Sequence, residues 1–266
     1  MNSAATFDPV PALSELQTLP VMPGVLRLLH EAGKRDTAEP AELSRLIALD
    51  PGLTAKLLRL TNASHFGVNS KVVTTDQAAA LLGSKQLLQM AAVTSHHNPA
   101  SHLPAEALTL LWRRSIATAF CAKAIARTRN MKHGYAYTAG LLHRCGDLVL
   151  LLHPGLQRTT PEGEIPLTAI DAGAALAHQW QFADTITDAI SHFSAPPEDP
   201  HQLLAAVVHL ADAFVTALDL CGDSIATLPL LSTHAWDTLA LTEAECLQVF
   251  RETEMHALAT FDLLQI

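Results

Sequence analysis

The sequence is short of long hydrophobic runs, of aromatic residues, of cysteine and of positive charge, and each shortage removes a class of protein. No window approaches the roughly eighteen uninterrupted apolar residues of a membrane span. Met1–Val10 also lacks the basic-then-apolar pattern of a secretion signal, so a cytoplasmic protein that does not enter a membrane is expected. Cys121, Cys145, Cys221 and Cys246 stand singly, without a C-x-x-C pair. They suggest neither a zinc knuckle nor a disulfide framework and read as small core residues. The net charge of −9 opposes attraction to a phosphate backbone, which needs clustered Lys and Arg, and argues against nucleic acid as a partner. The densest basic run, Arg113-Arg114 followed by Lys123, Arg127 and Arg129, lies along one helical pattern and reads as a solvated helix face. No G-x-x-x-x-G-K-[ST] or G-x-G-x-x-G phosphate loop, no H-E-x-x-H and no G-x-S-x-G elbow occurs.

What is present is a helix-forming sequence. Hydrophobic residues make up 49% of the chain and charged residues 16%, a balance that folds by burial. Apolar residues recur at spacings of three and four, and sustained period-two alternation is missing, so the fold is expected to be all-α. Asp50-Pro51 restarts a helix, with Asp50 capping free N–H groups and Pro51 at the first helical position. Thr74-Thr75-Asp76 starts another that stops at Gly83, where Ser84 can cap the next. From Pro104 a long alanine-rich helix runs to about Asn130, followed by helices at about Tyr135–His153, Leu167–Trp180, Asp184–Phe193, Gln202–Leu220 and Glu243–Leu264. Thr242 and Glu245 form a capping box at the start of the last. The polar stretch Ser95–His102, broken by Pro99, marks a boundary. The expected organisation is a tail at 1–10, an amino-terminal helical subdomain at 11–103 and a helical bundle at 104–266. His96, His97 and His102 in that stretch could bind a metal, although a surface linker is the commoner meaning.

A helical metal hydrolase needs several His, Asp or Glu side chains converging on one point. His143 and Asp147 are four apart, which places them on one face of a helix. His178 and His192 lie on the following helices, and His209 and Asp212 are three apart on the next. With 14 histidines in the chain, some such pairs arise by chance, and a local His–Asp hydrogen bond is the commoner meaning. Cys145 beside Arg144 could be activated, but a buried inert thiol is the default. Asn62 and Ser64, at the end of a strongly patterned helix before Phe66-Gly67, could shape a turn there, although a helix cap is the default meaning.

These motifs resemble a known family. Leu19-Pro20-Val21-Met22-Pro23, then the run from Asp50-Pro51-Gly52-Leu53 through Asn62, Ser64 and Gly67, then Leu81-Leu82-Gly83, are similar to the HD-related output domain of bacterial signalling proteins. Ala139-Gly140-Leu141-Leu142-His143, Gly173 with Trp180, Ala189-Ile190 and Leu210-Ala211-Asp212 continue it in the family's order, over roughly residues 11–220. The resemblance implies a relative of the HD phosphohydrolases, which hold metal through a His, a His-Asp doublet and a distant Asp. Carried over residue by residue, His143 matches the doublet's His, Arg144 stands where its Asp belongs, and Asp212 matches the distant Asp. The upstream His would fall near Trp112–Ser115, where none occurs. Ala169 and Phe193-Ser194 stand where related enzymes carry further histidines, and His192 is displaced from that pair by one position. Two ligands against the usual three or more imply no catalytic metal and no cofactor. Arg144 is expected to take the metal's electrostatic role by pairing with Asp212. The resemblance thus implies a bacterial, non-catalytic signal-transduction module that binds a protein partner, in cyclic-dinucleotide, stress or motility control. A metal-dependent phosphohydrolase and a nucleotide or small-molecule sensor without turnover are the alternatives, though no residue indicates a small-molecule ligand.

Overall fold

The structure, a computed structural model, describes residues 13, 16–35, 37–63, 70–157, 167–199, 202–222 and 230–266. It is helical, with no strand among the described residues, as the periodicity predicts. The helices are α1 (Pro23–Gly33), α2 (Pro40–Ile47), α3 (Pro51–Asn62), α4 (Thr75–His96), α5 (Ala105–Thr128), α6 (His133–Leu142), α7 (Cys145–Leu152), α8 (Ala169–Gln179), α9 (Asp184–His192), α10 (Leu203–Ala217), α11 (Thr233–Leu239) and α12 (Glu243–Leu264). Short 3-10 turns lie at Pro99–His102 and Pro154–Gln157. The expected tail at 1–10, Ser64 and Gly67 lie outside the described residues.

Local chemistry explains the starts and stops. Asp50 is fully buried and caps α3, accepting the Leu53 N–H at 2.7 Å, while its other oxygen accepts the Met22 N–H at 2.6 Å just before Pro23 opens α1. One carboxylate therefore ties the starts of two helices together. Asn62 ends α3 with a buried side chain that clamps one residue of the returning chain: its Oδ1 accepts from Val72 N at 2.7 Å and its Nδ2 donates to Val72 O at 3.0 Å. This is a tie across ten residues rather than the simple cap expected of Asn62. Thr74 and Gln77 form a capping box at α4. Gly83 sits inside α4 with a φ of 73°, a left-handed conformation that glycine adopts without strain. The expected stop at Gly83 is thus a kink, and the Ser84 hydroxyl donates to Ala38 O at 2.7 Å.

The alanine-rich α5 packs against α6, α10 and α12. Its Ala117, Ala119, Ala122, Ala124 and Ala126 are all buried, and such small side chains let neighbouring helices come close. One contiguous apolar cluster contains residues from both sides of position 104. The helix expected over Tyr135–His153 is in fact two, α6 and α7, broken at His143-Arg144. The break lets α7 lie directly on α8. A methyl group at Gly146 would stand 1.7 Å from Ala169 O and 2.5 Å from Gly173 N, so only glycine allows that approach. The short helix α11 falls in a region without motifs and had no counterpart among the predicted helices.

Candidate functional site

The break after α6 defines the site. His143 closes α6 and Arg144 opens α7, so both side chains turn toward α10, where Asp212 lies on a helix buried along most of its length. Asp212 and the His143 ring are buried. His143 Nε2 lies 3.2 Å from Asp212 Oδ1 and its Nδ1 lies 2.6 Å from Gly140 O. Each ring nitrogen faces an oxygen acceptor. The ring edge meets the Phe193 ring, with centroids 4.9 Å apart.

The main partner of Asp212 is one that the sequence reading placed on a solvated surface. Arg114 on α5 forms a forked pair with it: Nε donates to Oδ1 at 2.8 Å and a terminal nitrogen donates to Oδ2 at 3.2 Å. The Arg114 guanidinium also donates to the Thr216 hydroxyl, which in turn donates to Asp212 O at 2.7 Å. The side chain of Arg114 is only 13% exposed, which corrects its assignment to a solvated helix face. Two arginines face one carboxylate, for Arg144 reaches Asp212 Oδ2 at 3.5 Å and Asp147 Oδ2 also at 3.5 Å. Burial alone would raise the Asp212 carboxyl. The hydrogen bond and charge of His143, the Arg114 bond and the Arg144 charge outweigh it and hold the group well below the usual carboxylate range.

A cavity of about 300 Å³ opens at this cluster, and His143, Arg144, Asp147, Ala169, Phe193, Ser194, His209 and Asp212 all contribute to its wall. The structure therefore brings His143, Arg144, Ala169, Phe193, Ser194 and Asp212 to one place. It does not put His143 and Asp147 on one helix face, as their spacing suggested: they belong to successive helices, and Asp147 pairs with Arg144. His209 is fixed as a buried bridge, with Nδ1 to Phe193 O at 2.8 Å and Nε2 accepting from Ser232 N at 2.9 Å. His178 is exposed on α8, and His192 bonds back to Asp188 O on its own helix. Burial, and then the Asp147 charge, pushes the Cys145 thiol up to about 12, far from an activated thiolate.

A metal does not fit these residues. Both Asp212 oxygens already accept from guanidinium or imidazole groups. An arriving cation would stand among positive charges held in place by the fold. Among the described residues, no group of three or more His, Cys, Asp or Glu side chains is placed to hold a metal ion.

The model of the HDOD domain matches residues 19–196. The chain belongs to the HDOD family. That family is related to the HD hydrolases. An uncharacterized protein of Treponema pallidum is 23% identical over 226 residues, which is 79% of this chain and 44% of that protein. The chain thus spans less than half the length of this curated relative. Among solved structures, the MmoQ response regulator of Methylococcus capsulatus superposes with a TM-score of 0.67 at 19% identity, covering 89% of this chain and 99% of that one. A virulence factor of Campylobacter jejuni gives a TM-score of 0.60 at 19% identity, covering 77% and 82%. At these identities the likeness is one of fold.

Proposed function

We propose that this HDOD protein is a non-catalytic signal-transduction module that works in the cytoplasm by binding a protein partner. The observation that carries the reading is the forked pair between Arg114 and Asp212, with Arg144 as a second cation on the same carboxylate. In a metal hydrolase of the HD type, the distant Asp would hold a cation that polarises a phosphoryl oxygen or generates hydroxide. Here fixed guanidinium groups occupy that electrostatic role, and a guanidinium has no open coordination position for water. The cluster binds α5, α6, α7 and α10 together. A fold without turnover passes on its state through its surface, and the response-regulator name of the similar MmoQ structure is in keeping with signalling. The test pairs a phosphodiesterase assay on cyclic dinucleotides and linear nucleotides, with manganese, iron or zinc added, with affinity capture from the source cell. The expected result is no turnover above a Asp212→Ala control, together with a partner captured in stoichiometric amount. Metal-dependent turnover abolished by Asp212→Ala would contradict the reading.

A further inference from the structure

A second recess lies apart from Asp212. A groove of about 780 Å³ lies where α3 and the end of α4 face the end of α7, and none of its described lining residues lines the Asp212 cavity. Leu60, Met90, Val93 and Leu152 make its apolar wall. Leu60 and Val93 remain 39% and 49% exposed, so the groove offers them to a ligand rather than closing over them. Its polar wall includes Lys56, Arg59, His97 and His153, and no carboxylate lines it among the described residues. In a chain with a net charge of −9, described walls that carry Lys56 and Arg59 and no carboxylate are a local reversal of sign.

Lys56 and Arg59 are three residues apart on α3 and so share a face. Arg59 is held in position, donating to Leu16 O at 3.0 Å with its guanidinium 4.9 Å above the Trp180 ring. Lys56 has no carboxylate partner among the described residues. Burial first, and then the charge of Arg59, pushes its amine below the ordinary value. The two like charges therefore repel each other at the edge of an apolar surface, and an anion between them would relieve that repulsion. The volume lies in the range of small-ligand sites, which combine a largely apolar wall with a few fixed polar groups.

We propose that this groove binds a small anionic amphiphile: a carboxylate or phosphate head between Lys56 and Arg59, and an apolar body along Leu60, Met90, Val93 and Leu152. The two head groups share one requirement, a compact anion that accepts from an ammonium and a guanidinium. A ligand seated there would touch helices on both sides of position 104. The binding is independent of the Asp212 cluster.

Titration calorimetry on the full chain tests this with decanoate, decyl phosphate, decanol and decyltrimethylammonium, each below its micelle concentration. At least one of the two anions is expected to bind saturably at one per chain, the tighter of them naming the head. Decanol and decyltrimethylammonium should bind at least about tenfold more weakly, the loss of one charge-assisted contact. Lys56→Gln should weaken the anion by about tenfold, and Val93→Asp, at a half-exposed position, should abolish binding while thermal unfolding stays cooperative. Equal binding of the neutral or cationic amphiphile, an anion affinity unchanged by Lys56→Gln, or no saturable binding of either anion would overturn the proposal.

Discussion

Asp212 contacts groups from three helices, and their geometry ranks them. Arg114 makes two short bonds from a nearly buried side chain, whereas Arg144 stands at 3.5 Å with 24% of its side chain exposed. Arg114→Ala should therefore cost about 2–3 kcal/mol, the loss of hydrogen bonds to a buried charge, and Arg144→Ala about 1 kcal/mol or less, as exposed pairs do. Asp212→Ala removes the buried carboxylate that His143, Arg114 and Arg144 share and should cost about 3–5 kcal/mol. Denaturant unfolding of the three variants reads all of these, and an Arg144 effect equal to that of Arg114 would reverse the ranking. The two buried aspartates respond to pH with opposite signs. Asp212 is depressed in the fold, so its stabilisation is complete above the unfolded value of about 3.9 and is lost as pH falls below it. Burial pushes Asp50 up to about 7 against the N–H groups of Met22, Leu53 and Gly52. The folded protein then binds the extra proton between about pH 4 and 7, so the contribution of Asp50 to stability falls as pH rises through that window. The stability difference between wild type and Asp50→Asn should shrink from pH 4 to pH 7, and a constant difference would contradict the assignment. That Arg144, Ala169 and Phe193-Ser194 belong beside His143 and Asp212 was legible from the order of motifs, and all of them line one cavity. Arg114 was not, because two adjacent arginines on a long helix look alike in sequence: Arg113 reaches Ile266 O at 2.8 Å while its neighbour turns to Asp212. The one available signal was position, since Arg114 lies in the Trp112–Ser115 window to which the resemblance pointed for an upstream histidine.

At the scale of elements, the close contact of α7 with α8 places Ala169 at the wall of the Asp212 cavity. Gly146→Ala would drive a methyl group into Ala169 O, and relief requires the two helices to separate, at a cost of at least about 3 kcal/mol. Gly155→Ala, where an added carbon meets nothing within 4 Å, should change stability by less than about 0.5 kcal/mol. Thermal unfolding of the pair checks this, with equal effects contradicting the packing account. Helices announced by caps were readable: the α12 boundaries follow from the Thr242–Glu245 box and those of α3 from Asp50-Pro51. The break at His143-Arg144 was not, because neither residue is a helix breaker. It is imposed by tertiary contacts, His143 with Asp212 and Gly146 with α8, which no local propensity encodes.

For the whole molecule, the absence of strand periodicity was enough to expect an all-helical fold, and the order of motifs was enough to expect the HDOD family. Neither could show the groove beside Lys56, since its walls come from segments as far apart as Lys56 and His153, and its sign opposes that of the chain. The same fold thus carries a cluster closed by its own charges and a recess with charges left open. The central claim is that arginines stand in for the cation at Asp212. The measurement that tests it most directly is the elemental stoichiometry of the full chain purified after exposure to manganese, iron and zinc. The account predicts metal far below one ion per chain and unchanged in Asp212→Ala; one tightly held ion per chain, lost in that variant, would contradict it.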